Sequence, residues 1–146
     1  MSEDCVFCRE VIGRRNASII CENELAIAFM DHAPVEEGHM LVIPKKHFRD
    51  IFSVEEESYI AVHRMARELA PLVMKVTEAD GMNIGQNNGA CANQIVFHYH
   101  LHIIPRFCER KVSWDRRKVS TDELEKFAFL LREEIRKTPG TLKLTS

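Results

Sequence analysis

The chain has 146 residues, 45% of them apolar and 29% charged, with a formal net charge of −2 and five cysteines. That length can bury a substantial core in one domain. So small a charge excludes an electrostatic surface for bulk nucleic acid or anionic membrane. No run approaches the ~20 apolar residues of a membrane span. The acidic start Met1-Ser2-Glu3-Asp4 has no apolar stretch behind it, so no signal peptide is expected. An odd number of cysteines without a leader argues against a disulfide framework and for the cytoplasm.

Val11-Ile12, Ile19-Ile20-Cys21 and Ala26-Ile27-Ala28-Phe29 are short β-prone runs separated by polar turns such as Gly13-Arg14-Arg15-Asn16. Met40-Leu41-Val42-Ile43 is a further strand, stopped by Pro44. Ser53-Val54-Glu55-Glu56 fits a capping box, with Ser53 as N-cap. Behind it, Ile60, Val62, Met65, Leu69, Leu72 and Val76 recur at the spacing of an amphipathic helix. Pro71 is expected to kink that helix and Asp80-Gly81 to end it. Met82 to Gly85 starts a strand, and Gln86 to Asn93 reads as a polar loop. Ile95 to Ile104 is the best strand pattern in the chain, closed by Pro105. Trp114 to Lys118 is a charged loop, and a second capping box, Ser120 to Glu123, opens a helix through Lys137 that Pro139-Gly140 stops. Strands on either side of a central helix, without βαβ alternation, predict an α+β fold with an antiparallel sheet.

His98-Tyr99-His100-Leu101-His102 carries the chemistry. Successive strand residues face opposite ways, so the three histidines share one face. Phe97, Tyr99, Leu101 and Ile103 share the other and would pack on a helix. Neutral imidazole is a competent nucleophile when its second nitrogen donates to a fixed acceptor. Imidazole is also a common zinc and iron ligand, so metal binding stands beside that reading.

The run His-x-His-x-His ending in Ile104-Pro105-Arg106 resembles the signature of the histidine triad family. Also similar to it are Asp31 after Ala28-Phe29-Met30, the run Gly38 to His47, and Asn87-x-Gly89 upstream of Gln94, so the likeness extends over roughly Cys5 to Arg106. The Pro-Arg ending and the N-terminal cysteines look most like the bacterial-type members. The resemblance implies that His100 attacks an α-phosphorus, becomes a phosphoramidate and is released by water. His98, His102 and His39 would join it in the catalytic set. Fixed N–H donors beside the phosphorus are the main aid to such a reaction, and backbone N–H groups of Asn93-Gln94-Ile95 are placed to supply them. By resemblance, Asp31 holds the ribose hydroxyls, Asn87 contacts sugar or phosphate, and Val6, Phe7 and Phe29 wall the base pocket. There are two departures: Ile95 stands where the family usually has Ser or Thr, and Asn93 where it usually has Gly. Asn tolerates positive φ better than most residues.

Cys5-Val6-Phe7-Cys8 is a C-x2-C pair, compatible with zinc, redox chemistry or two buried thiols. The family resemblance adds His47 and His98 as the remaining ligands of a structural zinc, which requires four. Cys21, Cys91 and Cys108 have no partner at ligand spacing.

The expected molecule is a single α+β domain over residues 1–146, with its core at about 5–106 and a C-terminal helix at about 121–137. Its mostly antiparallel sheet has about five strands, and there are two main helices. The resemblance implies a homodimer whose sheets join edge to edge. The expected function is hydrolysis of nucleoside phosphoramidates or dinucleoside polyphosphates, with purine preferred and no catalytic cofactor. Two rivals remain. One is a purine-nucleotide-binding protein with little turnover, to which Ile95 lends weight. The other is a metallohydrolase using the three histidines as ligands, which lacks a nearby fourth, acidic ligand and would need His98 to serve two metals.

Overall fold

A computed structural model describes residues 2–138 together with Gly140 and Leu142. The order of elements begins with a short π-type helical turn, Phe7–Gly13. It continues through β1 (Ile19–Glu22), β2 (Ala26–Met30), β3 (Met40–Pro44), α1 (Glu56–Thr77), β4 (Gly81–Gly85), β5 (Leu101–Arg106) and α2 (Thr121–Lys137). The five strands form one antiparallel sheet in the order β1-β2-β3-β5-β4. The expected α+β architecture is therefore observed. No helix among the described residues is long and apolar enough to cross a membrane.

Alternation along the strands splits the core in two. Ala26, Ala28, Met30, Met40, Val42, Leu101 and Ile103 turn to one face, where α1 adds Val62, Met65 and Leu69, and α2 adds Ala128 and Leu131. Ile27, Phe29, Leu41 and Ile43 turn to the other, against Cys5, Phe7, Cys8 and Val11 of the N-terminal turn. The central strands are thus covered on both faces, which is why they read as continuous apolar runs.

That second cluster corrects the expectation of a strand at Val11-Ile12. Phe7, Cys8 and Val11 fall on one helical face and are buried together. The first capping box also fails. Glu55 is the residue before α1, while the Ser53 hydroxyl closes a separate turn with Asp50. α1 runs through Pro71 and ends at Glu78, whose left-handed φ of 57° takes the place usually given to glycine. Asp80-Gly81 is not the stop; Gly81 already begins β4. The second capping box is real on one side, since Ser120 accepts the Glu123 N–H at 3.1 Å. The proposed stop at Pro139 lies outside the described residues.

The largest correction concerns Ile95 to Ile104. Only Leu101 onward joins the sheet, and the strand continues through Pro105 to Arg106. Residues 95–100 leave the ladder because their bonds are made elsewhere: the Tyr99 N–H goes to Phe48 O at 2.7 Å, and Pro44 O accepts from a side chain, His98 Nε2, at 2.7 Å. Pro105 is tolerated because the β3 pairing has ended at Ile103, leaving β4 as its neighbour. Gly38, at φ +82°, turns the chain into β3. A Cβ there would meet Thr77 Cγ2 at 2.8 Å and Pro105 Cγ at 3.1 Å, so the tight approach that delivers His39 requires glycine.

Candidate active site

A cavity of about 830 Å³ opens beside β5, lined among others by Phe7, Asp31, His39, Asn87, His100 and His102. That is the size of an ordinary small-molecule pocket. Residues from opposite parts of the chain meet there because β3 pairs with β5, setting Leu41 opposite His102 and so His39 close to it.

The hydrogen bonds assign the protons. Carbonyl oxygens only accept, so His100 Nδ1, 2.7 Å from His98 O, carries its hydrogen and leaves a lone pair on Nε2. By the same logic His98 donates from Nε2 to Pro44 O and keeps a lone pair on Nδ1. The Val35 N–H donates to His39 Nδ1 at 3.0 Å, so the hydrogen of neutral His39 sits on Nε2. That Nε2 lies 2.9 Å from His102 Nδ1 and donates to it, which leaves His102 with its hydrogen on Nε2. The result is one ring offering a lone pair, His100, beside one offering an N–H, His102, with ring centroids 4.9 Å apart.

Burial keeps these rings neutral. It pushes His39 down to about 4, with the Asp31 carboxylate opposing, and His102 down to about 3, with His100 and His39 adding to the shift. His100 is lowered as well, again chiefly by burial, while its bond to the His98 carbonyl opposes the shift. Asp31, His39 and His102 lie close enough to suggest a metal site. The Val35 bond argues against one, because it puts a hydrogen on the very His39 nitrogen that would have to ligate.

Asp31 is 1% exposed, and its carboxylate is already engaged. Oδ1 accepts from the Ala33 N–H at 2.9 Å and from Arg116 Nη2 at 2.9 Å. Oδ2 lies 3.5 Å from Arg116 Nη1 and 3.4 Å from His39 Nε2.

The loop before the histidines departs from expectation. Asn93 does adopt the left-handed region, at φ 64°, as a residue in a glycine position must. Its N–H, however, bonds Ala90 O at 3.0 Å, and the Gln94 N–H bonds Gly89 O at 3.1 Å. These two donors are spent on the turn Ala90–Ala92, leaving Ile95 as the only one of the three whose N–H has no acceptor within that turn, among the described residues. Gln94 is a brace: Oε1 accepts from the Gly89 N–H, and Nε2 donates to Arg49 O and Val96 O. Asn87 reaches Asn93 O at 3.3 Å and lines the cavity, as does Ile95, which is 74% exposed.

His98 does not face the cavity with its side chain. Its Nδ1 lone pair points into a cluster with Cys5, Cys8 and His47. Cys5 Sγ lies 3.3 Å and Cys8 Sγ 3.5 Å from His98 Nδ1, Cys8 Sγ lies 3.6 Å from His47 Nδ1, and the two Nδ1 atoms are 3.2 Å apart. A tetrahedral zinc with ordinary Zn–S and Zn–N bonds needs S···N separations of about 3.6 Å and N···N of about 3.3 Å. The donor set fits. Its place in the catalytic set is therefore corrected: His98 serves the cavity through its main-chain carbonyl, which orients His100.

Of the expected base wall, Phe7 lines the cavity and meets His100 edge-on at 5.3 Å. Phe29 is buried behind Phe7, with ring centroids 5.4 Å apart, and Val6 lines a smaller hollow near Cys5 and His47. Trp114 and Arg116 line the cavity too, and neither was identified from the sequence. They lie in a stretch with neither helix nor strand, where charged residues carry no periodic signal.

Residues 13–109 match the HIT domain. An uncharacterised HIT-like protein of Mycoplasma genitalium is 43% identical over 106 residues, covering 73% of this chain and 75% of that protein. An adenosine 5′-monophosphoramidase of Schizosaccharomyces pombe is 39% identical over 127 residues, covering 83% of this chain and 90% of that one. A zinc-bound histidine triad family protein of Mycobacterium smegmatis superposes with a TM-score of 0.82 at 36% identity, over 92% of this chain and 94% of that structure. The match spans the sheet and the histidine run, and the chain belongs to the HIT domain family.

Proposed function

We propose that the protein hydrolyses the α-phosphate bond of nucleoside phosphoramidates or dinucleoside polyphosphates, purine nucleotides preferred, through a nucleotidyl-His100 intermediate. The observation that carries this is the 2.7 Å bond from His100 Nδ1 to His98 O, which leaves the Nε2 lone pair available beside the cavity. In the first step Nε2 attacks the α-phosphorus and forms a P–N bond. The bond to the leaving group breaks, its electron pair departing with that group. Positive charge develops on the His100 ring, and the His98 carbonyl stabilises it through the Nδ1 hydrogen. In the second step water attacks the same phosphorus and gives up a proton to solvent, the P–N bond breaks with its electron pair returning to Nε2, and the nucleoside monophosphate is released.

His102 Nε2–H serves as hydrogen-bond donor to the phosphoryl oxygen or to the leaving nitrogen or oxygen, held in that tautomer by His39. Asp31 accepts the ribose hydroxyls, Asn87 and the Ile95 N–H assist the phosphate, and Phe7 walls the base. Activity as an adenosine 5′-monophosphoramidase is named for the S. pombe relative, which supports the phosphoramidate reading here. Zinc held by Cys5, Cys8, His47 and His98 would be structural, since four protein ligands leave no open position; bound there, it would fix the backbone that carries the His98 carbonyl. A homodimer is supported by β4, an edge strand with exposed Ile84.

Nucleotide binding with little turnover is the second reading, favoured by Ile95, which offers no side-chain donor at the cavity. Replacement of His100 by Ala or Asn decides between them. Turnover should vanish while nucleoside monophosphate affinity stays within about tenfold, because other groups bind it. A variant keeping more than a few per cent of wild-type rate would refute nucleophilic catalysis by His100.

A further inference from the structure

Resting on the assignment of Asp31 to the ribose, we infer that Arg116 is a gate on the ribose subsite that lowers ribonucleotide affinity, competing with the 2′- and 3′-hydroxyls for the Asp31 carboxylate. Two hydroxyls need two acceptor sites. Asp31 Oδ1 is filled by the Ala33 N–H and by Arg116 Nη2, both at 2.9 Å. Oδ2 has Arg116 Nη1 at 3.5 Å, and the hydrogen of His39 Nε2, 3.4 Å away, is given to His102, so Oδ2 stays open to a hydroxyl. A ribose that engages both oxygens must therefore dislodge the guanidinium.

The side chain can move without its backbone. On one side of Arg116, Ser113 O is held by Arg106 Nη1 at 2.9 Å; on the other, the Arg117 N–H bonds Pro34 O at 2.9 Å. The strap is further tied by Arg110 Nη1 and Arg117 Nη2, at 2.7 and 3.4 Å from Glu36 Oε1. Among the described residues the ion pair of Arg116 is with Asp31, and its side chain is 39% exposed, so the released guanidinium reaches water. With the strap tied down, the fork returns to Asp31 whenever the ribose leaves. The guanidinium thus satisfies a buried carboxylate in the empty site and weakens any ligand that must displace it to engage both oxygens, while a ligand without the hydroxyls leaves it in place.

Calorimetric titration with adenosine 5′-monophosphate and its 2′,3′-dideoxy analogue tests this in wild type, Arg116→Ala, Arg116→Gln and Asp31→Asn. Removing the gate should tighten the monophosphate about tenfold, a change of about 1.4 kcal/mol, and leave the dideoxy analogue unchanged. Arg116→Gln keeps a neutral donor for Asp31, and should show the same direction even if Arg116→Ala folds poorly. Unchanged discrimination between the two ligands in folded Arg116 variants, or weaker binding of both, would overturn the gate. Asp31→Asn separates the two assignments: it should weaken the monophosphate and spare the analogue. If Asp31→Asn alters discrimination and the Arg116 variants do not, the gate is wrong and the ribose assignment stands. If Asp31→Asn leaves discrimination intact, both are wrong.

Discussion

Acid should unfold this protein through its buried histidines. His39 and His102 are lowered by burial from 6.5 to about 4 and about 3. The folded state therefore resists protonation that the unfolded chain accepts. Stability is full above about pH 6.5 and falls as the pH drops toward the folded values, because the unfolded state then binds more protons. At pH 5 the unfolded chain has gone 1.5 units past its own midpoint, and each unit is about 1.36 kcal/mol, so each histidine removes about 2 kcal/mol. With a urea slope of roughly 2 kcal/mol per molar, one histidine moves the unfolding midpoint by about 1 M between pH 7 and pH 5. The assay is urea unfolding over that pH range in wild type and His102→Gln, which keeps a neutral polar side chain. The variant should lose about half of the wild-type pH dependence attributed to the two histidines. Parallel curves for the two proteins would refute the neutral, tautomer-locked pair and with it the donor role of His102.

Three further outcomes are expected. Protein purified without chelator should hold about one zinc per chain by elemental analysis, and Cys8→Ser should lower both metal content and melting temperature, since a structural metal contributes folding free energy; unchanged melting on metal loss would remove the site. Ile95→Ser should raise the rate on alkylamine phosphoramidates roughly tenfold, about 1.4 kcal/mol from one hydrogen bond to a poor leaving group, with little change on polyphosphates; an equal effect on both classes in steady-state assays would show that Ile95 acts on loop shape instead. Ser120→Ala should cost about 1 kcal/mol in denaturant unfolding, through loss of the bond to the Glu123 N–H; no loss would show that α2 frays independently of the core.

Local periodicity made much of the architecture legible. The apolar runs at Ile19, Ala26 and Met40 became strands because both faces of the sheet are covered, and Ser120 capped α2 because its bond needs only neighbours four residues away or fewer. What the sequence hid depends on distant partners. Val11-Ile12 looked β-prone, yet a helical turn forms there because Phe7, Cys8 and Val11 pack with Ile27 and Phe29 on one face of the sheet. Ser53 had the right spacing for a cap, but Asp50 claimed its hydroxyl. Residues 95–100 had an ideal strand pattern and were drawn out of the ladder by Phe48 O and Pro44 O. The same contacts separate the three histidines into two clusters, His98 with the cysteines and His100 and His102 at the cavity, a split that alternation alone could not show. Arg116 was illegible for a simpler reason: its partner Asp31 lies 85 residues away, and an arginine in a charged loop carries no pattern.

The covalent role of His100 is tested most directly by the stereochemical course at phosphorus. A substrate made chiral at the α-phosphorus, turned over in isotopically labelled water, reports whether one displacement or two occurred. Attack by His100 Nε2 followed by attack of water predicts overall retention, two inversions cancelling. Net inversion would mean that water displaces the leaving group in one step, and would contradict the nucleotidyl-His100 intermediate.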